Sequence, residues 1–184
     1  MFLKTYQSGI YSAFLLFMLG CKNSPDELAP FTNKVDWLAE KAKNVVVNYS
    51  DSGVVRVEVI APEMIRKWDQ TDYKTTLPKG VTAHFFDSNG NKTSTLTGKY
   101  ATLDSKTGLM NVKGDVQVIN SDGDTLLTDH LILDESKDRL ATNGAVTVRR
   151  SNQIIMADGL ESNRDFTKYT FTKVRGTLSV KGNL

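Results

Sequence analysis

The sequence predicts an all-β fold of short antiparallel strands, and three observations carry that prediction. From Asn44 onward apolar and polar residues alternate. Val45 and Val47 stand against Val46 and Asn48, and Val55, Val57 and Val59 stand against Arg56, Glu58 and Ile60. Alternation with period two marks a half-buried strand. Turn signals follow at short intervals: Asp51-Ser52-Gly53, Ser88-Asn89-Gly90-Asn91, Ser105-Lys106-Thr107-Gly108, Ser121-Asp122-Gly123-Asp124, Asp134-Glu135-Ser136-Lys137-Asp138 and Arg150-Ser151-Asn152. Asn-Gly and Asp-Gly suit hairpins that need positive φ. A strand signature also returns roughly every thirty residues, as stacked supersecondary units do. Gly114-Asp115-Val116-Gln117-Val118 recurs as Gly144-Ala145-Val146-Thr147-Val148 and as Gly176-Thr177-Leu178-Ser179-Val180, with a weaker copy at Gly80-Val81-Thr82-Ala83-His84-Phe85. A sandwich, a jelly roll or a β-solenoid satisfies all three.

The elements follow in chain order. Residues 1–20 read as a leader: Lys4 gives a positive start, and an apolar stretch from Ile10 to Leu19 follows. That stretch is shorter than the roughly 20 apolar residues of a membrane span and fits a secretory signal. It ends in Gly20-Cys21, which resembles the lipobox of bacterial lipoproteins, with Met18 where leucine is usual. There a signal peptidase cuts before the cysteine, which then carries acyl chains. Cys21 is therefore the expected lipid attachment site, and a plain signal peptide with a chance cysteine is the other reading. Lys22 to Pro30 has a tether composition with Pro25 and Pro30. Val35 to Ala42 reads as a short helix, with Asn33 or Asp36 near its start and Trp37 docked on the sheet. Residues 21–43 are thus an expected tether and helix, and residues 44–184 the β domain.

Composition narrows the function. The 184 residues suffice for one domain with a sizeable core. Net charge is +2, the leader holds one Lys and no acid, and no dense Lys/Arg run exists, so no nucleic-acid partner is indicated. Cys21 is the only cysteine. Its lipidation leaves the mature fold without a thiol, which excludes disulfides, cysteine catalysis and thiolate metal sites and suits an oxidising compartment.

The second half of each repeat recurs too. Leu96-Thr97-Gly98-Lys99-Tyr100-Ala101-Thr102-Leu103-Asp104 parallels Leu127-Thr128-Asp129-His130-Leu131-Ile132-Leu133-Asp134, and Ile155 to Asn163 is a looser version. Val59 to Ile65 reads as the first. Each unit is a strand, a turn, a returning strand, then a small or acidic corner that carries the chain to a facing sheet.

Other chemistry finds no support in these residues. His84 and His130 lie in strand patterns, without an acid–His–Ser arrangement nearby. Asp87 to Asn91 and Asn120 to Asp124 loosely resemble the start of a calcium loop but lack its closing glutamate, so hairpins are the better reading. Asp129 and Asp158 occupy equivalent repeat corners, which explains them without an acid–base pair. The repeat glycines do not open helices, so no phosphate loop is indicated. No catalytic, metal or cofactor site is expected, and no enzyme.

Several runs resemble the LptC family. They are Leu77-Pro78-Lys79-Gly80-Val81 leading to Phe86-Asp87-Ser88-Asn89-Gly90, Leu96 to Ala101, Gly114 to Val118 with Leu126-Leu127-Thr128-Asp129, and above all Gly159 to Tyr169 ending in Val174-Arg175-Gly176. The likeness runs from about Val45 to the C-terminus. It implies an open β-jelly-roll of repeated antiparallel strands in two facing sheets. It implies a periplasmic, membrane-anchored component of lipopolysaccharide export. Such a component takes lipopolysaccharide from an inner-membrane ABC transporter through an apolar groove and passes it to a periplasmic bridge protein of the same architecture. Well-known members are anchored by a transmembrane helix, whereas this chain carries a lipobox-like site, so the helix-linked role is not transferred.

On that reading the inward residues Val57, Val59, Val81, Phe85, Val116, Val118, Leu131, Leu133, Val146, Val148 and Phe171 are candidates to line the groove. Each also fits a closed core. Tyr169, Phe171, Leu178 and Val180 are candidates for the edge that meets the bridge protein, and Val45–Tyr49 with Val55–Val59 for the edge that meets the transporter. The anchor is expected in the inner membrane, with the outer membrane left open. A structural or carbohydrate-binding envelope lipoprotein is the alternative function, and a hydrolase on a β scaffold a more distant one.

Overall fold

A computed structural model describes residues 39–179 of the chain. Eleven strands form one antiparallel sheet: β1 (Ala39–Asp51), β2 (Val54–Asp69), β3 (Asp72–Leu77), β4 (Val81–Phe86), β5 (Lys92–Gly98), β6 (Tyr100–Asp104), β7 (Leu109–Asn120), β8 (Thr125–Asp134), β9 (Arg139–Arg149), β10 (Gln153–Asn163) and β11 (Tyr169–Ser179). The order runs β11-β10-β9-β8-β7-β5-β4-β2-β3-β6, with β1 on β2 and a further β6–β7 pairing.

The register explains that unusual order. The first half of β2 pairs β4 through Val57 to Ile60, and its second half pairs β3 through Ile65 to Asp69. Likewise β7 pairs β6 through Leu109 to Lys113 and β5 through Gln117 to Asn120. So β3 with β4, and β5 with β6, are each one long rung interrupted at a corner. The interruption falls at Pro78-Lys79-Gly80 in the first and at Lys99 in the second.

The unbroken long strands bend at the same level. In β1 the pairing passes from Lys43 to Val45 around Asn44, at φ 51°. In β7 it shifts between Lys113 and Val116, where Gly114 and Asp115 both have positive φ. In β8 it shifts between Thr128 and Ile132, and in β10 between Asp158 and Leu160, around Gly159 at φ 83°. Bulges of this kind bend a strand and sharpen its twist. Aligned from rung to rung, they fold the sheet into two facing leaves. One leaf holds β4 and β5, the other β3 and β6. This is the all-β jelly-roll the sequence predicts, and the expected repeat corners are the bends.

The core lies between the leaves. Phe85, Leu96, Val118, Leu126 and Val148 on one leaf and Val112, Leu131, Leu140 and Leu160 on the other are fully buried. Burying a side chain of this size stabilises by about 1.5–3 kcal/mol. One expectation is corrected at the start of the domain. Ala39 to Ala42, the end of the expected helix, open β1 and pair with Met64 to Lys67. Its earlier residues, including Val35 and Trp37, lie outside the described residues, as do Cys21 and Val180.

Candidate functional site

The two leaves do not pack equally well along their length. At the β1 end they stand apart around an apolar cleft. One wall is Val45, Val47 and Tyr49 of β1 with Val57 and Val59 of β2, and the other includes Met64, Leu77, Leu103, Met110 and Leu133. Its free interior is narrow, with a cavity volume of about 50 Å³. Val45, Val47, Tyr49 and Val59 are only half-buried, while the equivalent inward positions of β7 to β10, such as Val118 and Val148, are sealed. On the facing wall Met64 and Leu103 are half-buried while Leu77, Met110 and Leu133 are buried, so one half-wet apolar wall lies against a mostly sealed one, as at the mouth of a groove.

Charge sits in the same cleft. Arg66 holds its guanidinium 4.6 Å over the Tyr73 ring, donates from Nε to Thr75 Oγ1 at 3.3 Å and lies 3.7 Å from Glu40. Glu135 and Arg164 also line it. Burial pushes the Tyr49 phenol above the usual tyrosine range, and Tyr73 and Glu135 push it further, so it stays protonated and can donate. The result is an apolar track with a few fixed polar groups beside it.

Beyond Arg164 the interior is occupied by the chain itself. The connection from β10 to β11, residues 164–168, crosses between the outer margins of the two leaves. Arg164 Nε lies 3.1 Å from Asp138 Oδ1, at ion-pair distance but poorly aligned for a hydrogen bond, and Arg164 N donates to Asp138 O. On the other leaf, Thr93 Oγ1 donates to Asp165 Oδ1 at 2.7 Å, Ser94 Oγ donates to Arg164 O at 3.3 Å and Asn120 Nδ2 donates to Phe166 O at 2.9 Å. Phe166 is fully buried and stacks on Tyr169 at 4.9 Å between ring centroids.

The candidates from sequence therefore separate by place. Val57, Val59 and Leu133 line the cleft. Val81, Phe85, Val116, Val118, Leu131, Val146 and Val148 are buried in the core, and Phe171 packs against it beside Tyr169. Sequence reasoning missed Met64, Arg66, Leu77, Leu103 and Phe166. Period two continued past Pro62 reaches Met64 and Arg66, but an arginine scores as outward. Phe166 lay in plain view as an aromatic residue in the polar run from Asn163 to Lys168.

Both sheet ends are free among the described residues. β1 pairs only with β2, and β11 only with β10. Unpaired edges offer rows of N–H and C=O groups to another strand. On β11, Tyr169 and Phe171 turn toward the core, while Leu178 and Val174 are more than half exposed. The expectation that Val55 to Val59 belong to the free edge is not met. β2 has β1 on one side and β4 on the other, because β1 is long enough to cover it throughout.

The remaining polar groups have structural partners. His84 Nδ1 is 3.1 Å from Thr95 Oγ1 and His130 Nε2 is 3.3 Å from Asn111 Oδ1, each across a strand pair. The two calcium-like runs are hairpins. Asp87 Oδ1 accepts from the N–H groups of Asn89 and Asn91, and Asn120 Oδ1 from those of Asp122 and Asp124. The corner acid Asp158 pairs with Arg175 at 3.1 Å.

Against known proteins, a family model described as lipopolysaccharide-assembly, LptC-related, matches residues 9–179. No curated protein matches the chain.

Proposed function

The chain belongs to the LptC family, which serves lipopolysaccharide transport, and from that premise we propose that it is a relay between two membrane-side partners. It accepts lipopolysaccharide from the inner-membrane ABC transporter at the β1 end. It holds the acyl chains in the cleft between the leaves and hands them to a periplasmic bridge protein at the β11 end. It transforms nothing, and the energy comes from the transporter's ATP hydrolysis. Acyl chains at Cys21, behind the leader that ends in Gly20-Cys21, hold it to the periplasmic face of the inner membrane. Two or more such chains give stable anchoring.

The observation that carries this reading is the cleft beside Val57, whose wall residues Val45, Val47, Tyr49 and Val59 are only half-buried. Each methylene removed from water there contributes about 0.8 kcal/mol, so a long apolar track suits a lipid tail without any dominant residue. Arg66, paired with Glu40, and Arg164, paired with Asp138, set two guanidiniums beside the track, and an anionic headgroup engages them in competition with those acids. The free strands β1 and β11 suit partners that add a strand to each side.

A photo-crosslinking residue at Val59, in living cells, tests the reading. Lipopolysaccharide adducts are expected there. A folded, correctly exported protein that gives none would overturn transport in favour of a structural or carbohydrate-binding envelope lipoprotein.

A further inference from the structure

The β10–β11 connection deserves a role of its own, because three observations coincide in it. First, it bridges the leaves where they would otherwise be open. Thr93, Ser94 and Asn120 hold it on one leaf, and Asp138 holds it on the other. Second, it sits where the cleft ends. Arg164 lines the cleft, and its guanidinium lies 6.0 Å from the centre of the buried Phe85 ring. Third, it places an aromatic side chain in the interior. Phe166 has a φ of 53°, which a bulky residue rarely adopts, and it is completely buried. A strained backbone that persists is held by its surroundings and recurs at switches and clamps. Here the turn is closed by Phe166 N donating to Asn163 O and by Asn163 Oδ1 accepting from the N–H groups of Thr167 and Lys168.

We propose that residues 164–168 are a gate across the lipid track, with Phe166 as a resident stand-in for an acyl chain. The inference rests on the transport reading above. While the gate is shut, a lipid in the cleft stops at Arg164. An incoming acyl chain displaces Phe166 from its stack on Tyr169 and opens the way to the β11 edge. The bonds that must break sit at the margin of the leaves. Thr93–Asp165 joins polar groups that water can satisfy once they part. Ser94 and Asn120 are different: both side chains are buried, and on opening they lose Arg164 O and Phe166 O. That loss favours the shut state until a lipid replaces the aromatic ring.

The test locks the gate in the full-length chain in cells. Thr93→Cys and Asp165→Cys are bridged by a short reducible bis-thiol linker. A benzoylphenylalanine replaces either Tyr49, in the cleft, or Phe171, beyond the gate. Both replacements are aromatic for aromatic at half-buried positions. On bridging, the lipopolysaccharide adduct at position 171 is expected to fall about tenfold while that at position 49 changes less than about twofold, and reduction restores it. Equal adducts at both positions with the bridge closed overturn the gate and leave transport standing. No adduct at position 49 even after reduction sinks the transport reading, and the gate with it. Protease resistance of the bridged and reduced forms checks that both are folded. In a second arm, Phe166→Ala without a bridge is expected to raise the adduct at position 171 relative to position 49, and a fall in that ratio counts against the gate.

Discussion

At the scale of residues, the bends depend on positions where the backbone leaves the strand region. Gly159 has φ 83°, and a Cβ there would meet Thr172 Oγ1 at 2.7 Å and Thr172 Cβ at 2.8 Å. Gly53 has nearly the same φ, 82°, but open space around it. Gly159→Ala therefore combines backbone strain with a clash and is expected to destabilise by about 1–3 kcal/mol. Gly53→Ala carries the strain alone. Thermal unfolding should show a larger fall in Tm for Gly159→Ala, and equal falls would refute the role given to Thr172.

Asp134 supplies the second residue-scale prediction. Ser136 Oγ donates to it at 2.7 Å, and Lys137 donates from its backbone N–H and sits 3.0 Å away with its ammonium. Ser136 first and Lys137 next hold the carboxyl below the usual aspartate range. A carboxylate whose pKa is lowered by folding stabilises above its unfolded value of about 4, and that contribution is lost as pH falls through the folded value. Tm should thus drop on acidification below about pH 4. Asp134→Asn should start lower at neutral pH and drop less. A variant with the same acid slope as the parent would show that this turn is not part of the effect.

At the scale of elements, most of the fold was legible because strands announce themselves by alternation and hairpins by Gly, Asn and Asp. The repeat corners were legible as well. The start of β1 was not. Ala39-Glu40-Lys41-Ala42 is built of good helix formers, yet it lies along Met64 to Lys67 of β2. Trp68 Nε1 donates to Glu40 Oε1 at 3.0 Å across that pairing. Tertiary pairing overrides local propensity here. The cleft was half legible. Val57 and Val59 alternate plainly, but Arg66 faces inward against its polarity, and no pattern says which inward residues are sealed and which are left open. The free strand β11 carries the prediction at this scale. A photo-crosslinker at Leu178, more than half exposed, should capture the bridge protein. The same residue at Leu127, on β8 with partners at both sides, should not. Capture at Leu127 alone would place the partner on a face rather than the edge.

At the scale of the whole molecule, the proposed relay rests on the contrast between a loose and a tight half. The β1 end keeps Val45, Val47, Tyr49 and Val59 half-wet, whereas β7 to β10 are sealed by Leu126, Leu131, Leu140, Val148 and Leu160. A carrier needs both: a place where cargo exchanges with solvent-exposed partners, and a packed body that keeps the leaves in register. The Val59 adduct experiment belongs here, since it asks whether cargo occupies the molecule at all. The Tyr49 and Phe171 pair then asks how far along it the cargo travels.

The sheet starts at β1 and stops at β11, and these two strands do not pair with each other. A closed barrel has a circumference, and its strand number and tilt are fixed together by closure. This fold has only a length. Each rung leans chiefly on its neighbours, so stability accrues rung by rung, as in linear repeat arrays. A rung lost from either end would expose one fresh edge and leave the geometry of the rest unchanged. The number of rungs is therefore an adjustable quantity for evolution, free of any requirement that the ends meet.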